Sequence, residues 1–287
     1  MAIPVIEYHD LKEWSKQNYL RLSKPLHIMV GEKSDTIRMR NFQSHVSSIK
    51  LPFGSFIEVD KNLAVCSPEL TFLQMASKLS LVGLIQLGYE LCGTYRIDRT
   101  NTPERGFRDD IPLTSIDKLT SYINKVEGFK GIKNARRALG FICMNSASPM
   151  ETVLAILLCL PYRMGGYSLP KPSLNSAIKV PSTSHIEYKC DLFWPKTKVA
   201  VEYDSDAYHT GSDRINQDAI RRNALLAAKI NLIIVTRKQI YATNAMNNIA
   251  YNISKLVGKR TQNVPSDFAK RQTALKSQLL PNAYNGI

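Results

Sequence analysis

The stretch CDLFWPKTKVAVEYDSDAYH, residues 190–209, gathers acids where a strand-like pattern rarely carries them. Val199, Val201 and Tyr203 alternate with Ala200, Glu202 and Asp204. A period of two marks a β-strand, so Glu202 and Asp204 share one face and the apolar residues the other. Eleven residues before Glu202, Asp191 opens a second apolar run, Leu192, Phe193 and Trp194. A hairpin of about three or four residues around Pro195–Thr197 would set Asp191 opposite or diagonal to Glu202. Three carboxylates that close repel one another and are costly to desolvate. Their pKa values must rise, a basic side chain must intervene, or a hard divalent metal must sit among them. An all-oxygen ligand set suits Mg²⁺ (or Mn²⁺), which is bound through one or two carboxylates and keeps waters for a substrate phosphate. That arrangement serves metal-assisted phosphodiester hydrolysis. Asp191, Glu202 and Asp204 are therefore the expected metal ligands. His209, five residues beyond Asp204, is placed to act as general acid or base or to bind phosphate.

Each residue also has a simpler account. Asp191 could pair with a lysine, Glu-x-Asp could be the wet face of an edge strand, and His209 could be an ordinary loop histidine. Their joint occurrence on adjacent strands favours the metal site. Asp218 lies one helical turn from Arg221 and Arg222, the spacing of an intrahelical ion pair.

The elements that must position these residues begin near residue 146. Ser148-Pro149-Met150-Glu151 reads as a helix start, with Ser148 as N-cap, Pro149 in the first turn and Glu151 in a capping box. Capping accounts for Glu151, which is also a candidate catalytic acid. MGGYSLPKPSLN breaks that helix. Strands over about 173–180, 185–194 and 198–204, a helix over about 214–229, a strand INLIIVT and a helix over about 238–257 complete an α-β-β-β-α-β-α order. The basic, polar stretch after Gly258 reads as an ordered arm or a frayed end.

Before residue 146, a short helix is expected over 10–22, then strands PLHIMV, HVSSIK, SFIEVD and NLAVCS. Helices follow over SPELTFLQMASKLS, LVGLIQLGYELCG, residues 115–127 and residues 130–144, with Thr94–Pro112 reading as a mobile loop. In the last of these helices Lys130, Lys133, Arg136 and Arg137 fall on one side with no acid among them. They form either a phosphate-contacting face or a solvated one.

The chain has 287 residues, enough for two domains, and a formal net charge of +14 that favours a polyanionic partner such as nucleic acid. The five cysteines are scattered and include no CxxC pair, which argues against a structural zinc site. The start, MAIPVIEYHDLKEW, lacks a basic-then-apolar signal pattern, and Val153–Leu160 is too short to span a bilayer. The expectation is a cytoplasmic protein with no membrane partner.

The segment CDLFWPKTKVAVEYDSDAYH resembles the core of the very-short-patch repair (Vsr) endonucleases and their relatives in the PD-(D/E)XK, restriction-endonuclease-like superfamily. The match covers about residues 148–240. The resemblance implies an α/β (α+β) fold with an α-β-β-β-α-β core. It makes Asp191 the strand-two ligand, Glu202 and Asp204 the strand-three pair, His209 the downstream histidine and Glu151 the helix-borne glutamate. Asp218 and Arg221 match a D-x-x-R habit of the closest relatives. Two positions depart from the pattern. Asp204 stands where the superfamily usually has lysine, a role that His209 or Lys198 would have to fill, and Ser205 stands where relatives often have glycine. In the N-terminal region, NLAVCSPELTFLQMA followed by a helix ending LCGTY weakly resembles the C-terminal part of AbiEi-type abortive-infection antitoxins, which implies a phage-defence or mobile-element setting.

The resulting expectation is an N-terminal α+β region over 1–145 that binds substrate or a partner, a nuclease domain over 146–258 and a basic tail over 259–287. The activity expected is Mg²⁺-dependent endonuclease cleavage, of DNA ahead of RNA, by a chain that could pair as a homodimer or answer to a regulatory protein. The alternative is a non-catalytic antitoxin-like or nucleic-acid-binding regulator that keeps a nuclease fold.

Overall fold

The computed structural model describes residues 24–47, 49–60, 63–97, 106–179, 187–204, 212–259 and 264–280, without the side chains of Lys179 and residues 212–218. These residues form a mixed α/β protein in which small sheets are combined with helices. The chain divides into two compact units, Met1–Leu79 with Asp117–Arg136, and Ser80–Ile116 with Arg137–Ile287.

The first unit holds two strand pairs. β1 (Leu26–Val30) runs parallel to β2 (Phe42–Val46), and β3 (Phe56–Asp60) runs antiparallel to β4 (Leu63–Cys66). Helix α1 (Pro68–Met75) starts where its sequence says it should. Ser67 Oγ accepts from Leu70 N at 3.2 Å, and Pro68 occupies the first turn. A buried hydrogen bond of 2.7 Å between Ser55 and Tyr122 ties the entry to β3 to helix α3 (Ile116–Asn124). Helix α4 covers only Ile132–Leu139, shorter than the 130–144 expected from sequence. Gly131 sets its start: φ is +94°, and a Cβ there would lie 2.7 Å from the Ala76 backbone.

In the second unit Ser80 caps α2 (Leu81–Leu91). Short strands β5 (Tyr95–Ile97) and β6 (Phe107–Asp109) then pair antiparallel inside the segment expected to be a loop. Burial explains the difference. Tyr95 is only 2% exposed and shares a 3.0 Å hydrogen bond with Thr152, while Arg96 donates to the Glu90 and Ile111 carbonyls.

The main sheet has the order β10-β9-β8-β7. β7 (Ser173–Lys179), β8 (Glu187–Trp194) and β9 (Val199–Asp204) form an antiparallel meander, and β10 (Asn231–Thr236) joins β9 in parallel. The parallel step requires a crossover, supplied by α6 (Ser212–Ala227). Helix α5 (Pro149–Cys159) lies against β8 and β9, and its residues Val153–Leu158 are at most 4% exposed, so it is apolar all round. Elsewhere on the sheet Ile178, Cys190 and Ala200 pack with Ala224 and Leu225 of α6. Val199, Ala200 and Val201 are all fully buried, so β9 is a core strand rather than the half-wet strand its alternation predicts. A single C-terminal helix was expected over about 238–257. It is instead α7 (Arg237–Tyr241), closed at its start by a Thr236–Gln239 capping box, and α8 (Thr243–Leu256), parted at the extended residue Ala242.

The stretch after Gly258 is ordered over α9 (Phe268–Leu279), which buries Gln272, Leu275 and Leu279 against α2, α5 and the short 3-10 turn Tyr162–Met164. At Gly165 φ is +87°, and a Cβ would come within 2.4 Å of the Arg271 carbonyl oxygen, so only glycine allows this helix to dock.

Candidate active site

The hairpin that joins β8 to β9 fixes the site. Trp194 pairs with Val199, Phe193 with Ala200 and Leu192 with Val201, and Lys198 closes the turn at φ +55°. The paired register ends at Leu192↔Val201, one step short of Asp191 and Glu202. At that step a side chain enters the ladder, since Asp191 Oδ2 accepts from the Tyr203 backbone N–H at 2.7 Å. Cys190 and Phe193, three residues apart, both pack with the α6 cluster, so the strict alternation of β8 breaks between them.

The same row extends into β7. Asn175 lies between the pairs Leu174↔Leu192 and Ser176↔Cys190, in the row of Asp191, with φ +47°. Its side-chain Nδ2 donates to Asn145 O at 2.9 Å and to Glu151 Oε2 at 2.7 Å. Glu151 is 7% exposed. Half of its expected capping box is present, because Ser148 Oγ accepts from Glu151 N at 3.1 Å. The other half is altered: the Glu151 carboxylate takes the N–H of Ala147 at 2.9 Å and that of Asn175, so it faces the sheet as well as its own helix.

The electrostatics follow from this proximity. Burial first, then the charges of Glu151 and Glu202, raise the Asp191 carboxyl to about 7, against the opposing effects of the Tyr203 N–H and Arg221. Burial also raises Glu151, opposed by its hydrogen bonds from Ala147, Asn175 and Ser148. Burial and then Glu202 push the neighbouring Cys190 thiol up to about 12, so it is not a nucleophile at neutral pH. Glu151, Asp191 and Glu202 thus reach one locality from a helix and two strands. No protein-family model, curated protein or solved structure matches the chain. The geometry alone carries the functional reading.

Asp204 ends β9 as the partner of Thr236 on β10 and is partly exposed. His209 and the Asp218 side chain lie outside the described residues. Among the described residues, no group of three or more His, Cys, Asp or Glu side chains is gathered tightly enough to hold a metal ion. The donor chemistry still fits Mg²⁺, which needs one or two carboxylates and keeps its waters. Asp191 and Glu202 are two such carboxylates, close enough that the charge of Glu202 helps to raise the proton affinity of Asp191.

Two residues at this site carry functions that the sequence reading did not give them. Arg221 of α6 was expected to pair within its helix, but its Nη2 donates to Glu202 Oε1 and to the Lys189 carbonyl. Asn175 was read as an ordinary strand residue. Asparagine is depleted in strand interiors, and that was the one available signal. Replacing Asn175 by Gly keeps the left-handed backbone and deletes two hydrogen bonds, while Ala also strains the backbone. We expect Gly to cost about 1–2 kcal/mol and Ala about 1 kcal/mol more, read from urea denaturation. Equal stability of both variants with wild type would remove Asn175 from the site.

Lys133, Arg136 and Arg137 of α4 and Lys130 just before it are all exposed, with Ala135 and Ala138 buried. Exposure suits both a phosphate-contacting face and a solvated one. Reversing Lys133, Arg136 and Arg137 to Glu is expected to weaken nucleic-acid binding and to lower the slope of log K against log salt by roughly 1–3. An unchanged slope assigns the helix to solvent.

Proposed function

We propose that the chain is a Mg²⁺- or Mn²⁺-dependent endonuclease that hydrolyses phosphodiester bonds, with DNA as its substrate. The observation that carries this reading is the meeting of Glu151, Asp191 and Glu202, with the Asp191 carboxyl held near neutrality by burial and by the other two. Acids withdrawn from water are expensive, and a sheet that brings two half-buried ones near a buried third has a use for them. The element order α5-β7-β8-β9-α6-β10, an antiparallel meander followed by a strand parallel to β9, supports a restriction-endonuclease-like core.

In this reading Asp191 and Glu202 hold the metal, with Asp204 at the end of the same strand, and Glu151 adds negative charge from behind. Asn175 keeps Glu151 turned toward the sheet. A bound divalent ion supplies Lewis-acid polarisation of the phosphoryl oxygen and an acidified water. Asp191 and Glu202 would hold the ion as ionised carboxylates, and β8 and β9 would keep the two on rigid backbone. The net charge of +14 favours a polyanionic substrate. The first unit is left for substrate or partner binding.

A second reading, a non-catalytic regulator that retains the fold, is favoured by one observation: Glu202 is engaged by Arg221. The test is incubation of the purified chain with supercoiled plasmid, single-stranded DNA and RNA, in Mg²⁺, Mn²⁺ or EDTA. Metal-dependent nicking or linearisation of the plasmid is expected. Cutting of RNA alone would change the substrate, and intact nucleic acid in every tube would favour the regulator.

A further inference from the structure

Resting on the metal-dependent reading, one feature of the site goes beyond it: Glu202 already has a cation. Arg221 Nη2 serves two acceptors, Glu202 Oε1 and the Lys189 carbonyl oxygen. The helix that carries it is anchored one turn later, where Ala224 and Leu225 pack with Ile178, Cys190 and Ala200. The guanidinium is therefore delivered to Glu202 by the fold. Its side chain is 31% exposed and that of Glu202 19%, so bulk salt screens the pair less than a surface pair. The contact is also incomplete, because Arg221 Nε is buried and finds no partner among the described residues. A fork-to-fork carboxylate pair would use two donors, and here one nitrogen is divided between two acceptors.

We propose that Arg221 is the internal counter-cation of the site, holding Glu202 while no divalent metal is bound and competing with the metal for that carboxylate. Arg221 is then a positioning residue that acts through Glu202. It keeps neighbouring acids tolerable in the metal-free chain, and it sets the metal affinity below what the carboxylates alone would provide. A purely architectural ion pair behaves differently. Removing it would slacken Glu202 and leave metal binding unchanged or weaker.

The experiment is calorimetric titration of Mn²⁺ into the full chain, without nucleic acid, for wild type, Arg221→Gln and Arg221→Lys. Gln keeps a donor for the Lys189 carbonyl and deletes the charge, whereas Lys keeps the charge. Expected is Mn²⁺ binding about tenfold tighter or more in Arg221→Gln, and binding like wild type in Arg221→Lys. Equal or weaker binding by an Arg221→Gln chain with a wild-type circular dichroism spectrum overturns the counter-cation and leaves the nuclease reading standing. A folded wild type and a folded variant that both fail to bind Mn²⁺ overturn both. If Arg221→Gln does not fold, Arg221→Met is read by the same criterion, and an Arg221→Lys chain that binds as tightly as the uncharged variant also overturns the proposal.

Discussion

Asp191→Ala and Glu202→Ala are each expected to abolish metal-dependent cleavage, a loss of at least about 10³-fold or roughly 4 kcal/mol of transition-state stabilisation. In the proposed site Asp191 and Glu202 are the two principal oxygen ligands, close enough for the charge of one to act on the other, so removing either leaves a single one. Neither change should unfold the chain. Asp191 is an acid raised by burial, and its loss relieves the repulsion from Glu151 and Glu202. Loss of Glu202 frees Arg221, whose side chain is 31% exposed and can turn to water. Asp204→Ala should cost less than either, because Asp204 stands at the strand end opposite Thr236. The measurement is the initial rate of plasmid nicking with circular dichroism on the same samples. Cleavage at the wild-type rate by both Asp191→Ala and Glu202→Ala would remove the site from the chemistry.

The second large effect is on stability and has a definite sign. In the folded chain Asp191 titrates at about 7, whereas in an unfolded chain an aspartate titrates near ~3.9. Between those values the folded state keeps a proton that the unfolded state has lost. Stability therefore falls as pH rises from about 4 to about 7 and is level above. Asp191→Asn cannot ionise, and its side-chain oxygen can still accept the Tyr203 N–H. The variant should match wild type near pH ~4 and exceed it at pH ~8 by on the order of 2 kcal/mol, or about 4–8 °C in unfolding temperature. Saturating Mg²⁺ should raise the wild type at pH ~8 and leave the variant where it was. Thermal melts in EDTA across that pH range check this, and an Asp191→Asn chain less stable than wild type at pH ~8 would refute it.

Local patterns made much of this legible in the sequence. Ser67-Pro68 and Ser148-Pro149 start helices because capping is decided by a few adjacent residues. The β8–β9 hairpin was legible from the turn and the two apolar runs, while its register was left open between opposite and diagonal. What was not legible depends on contacts between distant segments. Alternation in β9 predicted a wet face, yet Ala200 is fully buried, because coverage by α6 is a tertiary fact that period two cannot report. Arg221 seemed to belong to its own helix, and only the packing of Ala224 and Leu225 decides that it reaches Glu202 instead. Glu151 looked satisfied as a cap, but the oxygen that takes the Ala147 N–H also accepts from Asn175, 24 residues away. The basic tail gave no hint of α9, whose docking hangs on the absence of a side chain at Gly165.

The hydrogen bond from the Tyr203 amide to Asp191 Oδ2, 2.7 Å long, gives the site a resident spectroscopic probe. A bond to an ionised carboxylate is shorter and stronger than one to the neutral acid, and it deshields the amide proton it holds. One backbone resonance in a proton–nitrogen correlation spectrum should therefore move downfield with a midpoint close to neutrality. It should move again when a divalent ion draws on the same oxygen. The protonation of Asp191 could then be followed in the intact chain, without substrate and without a label attached to the site.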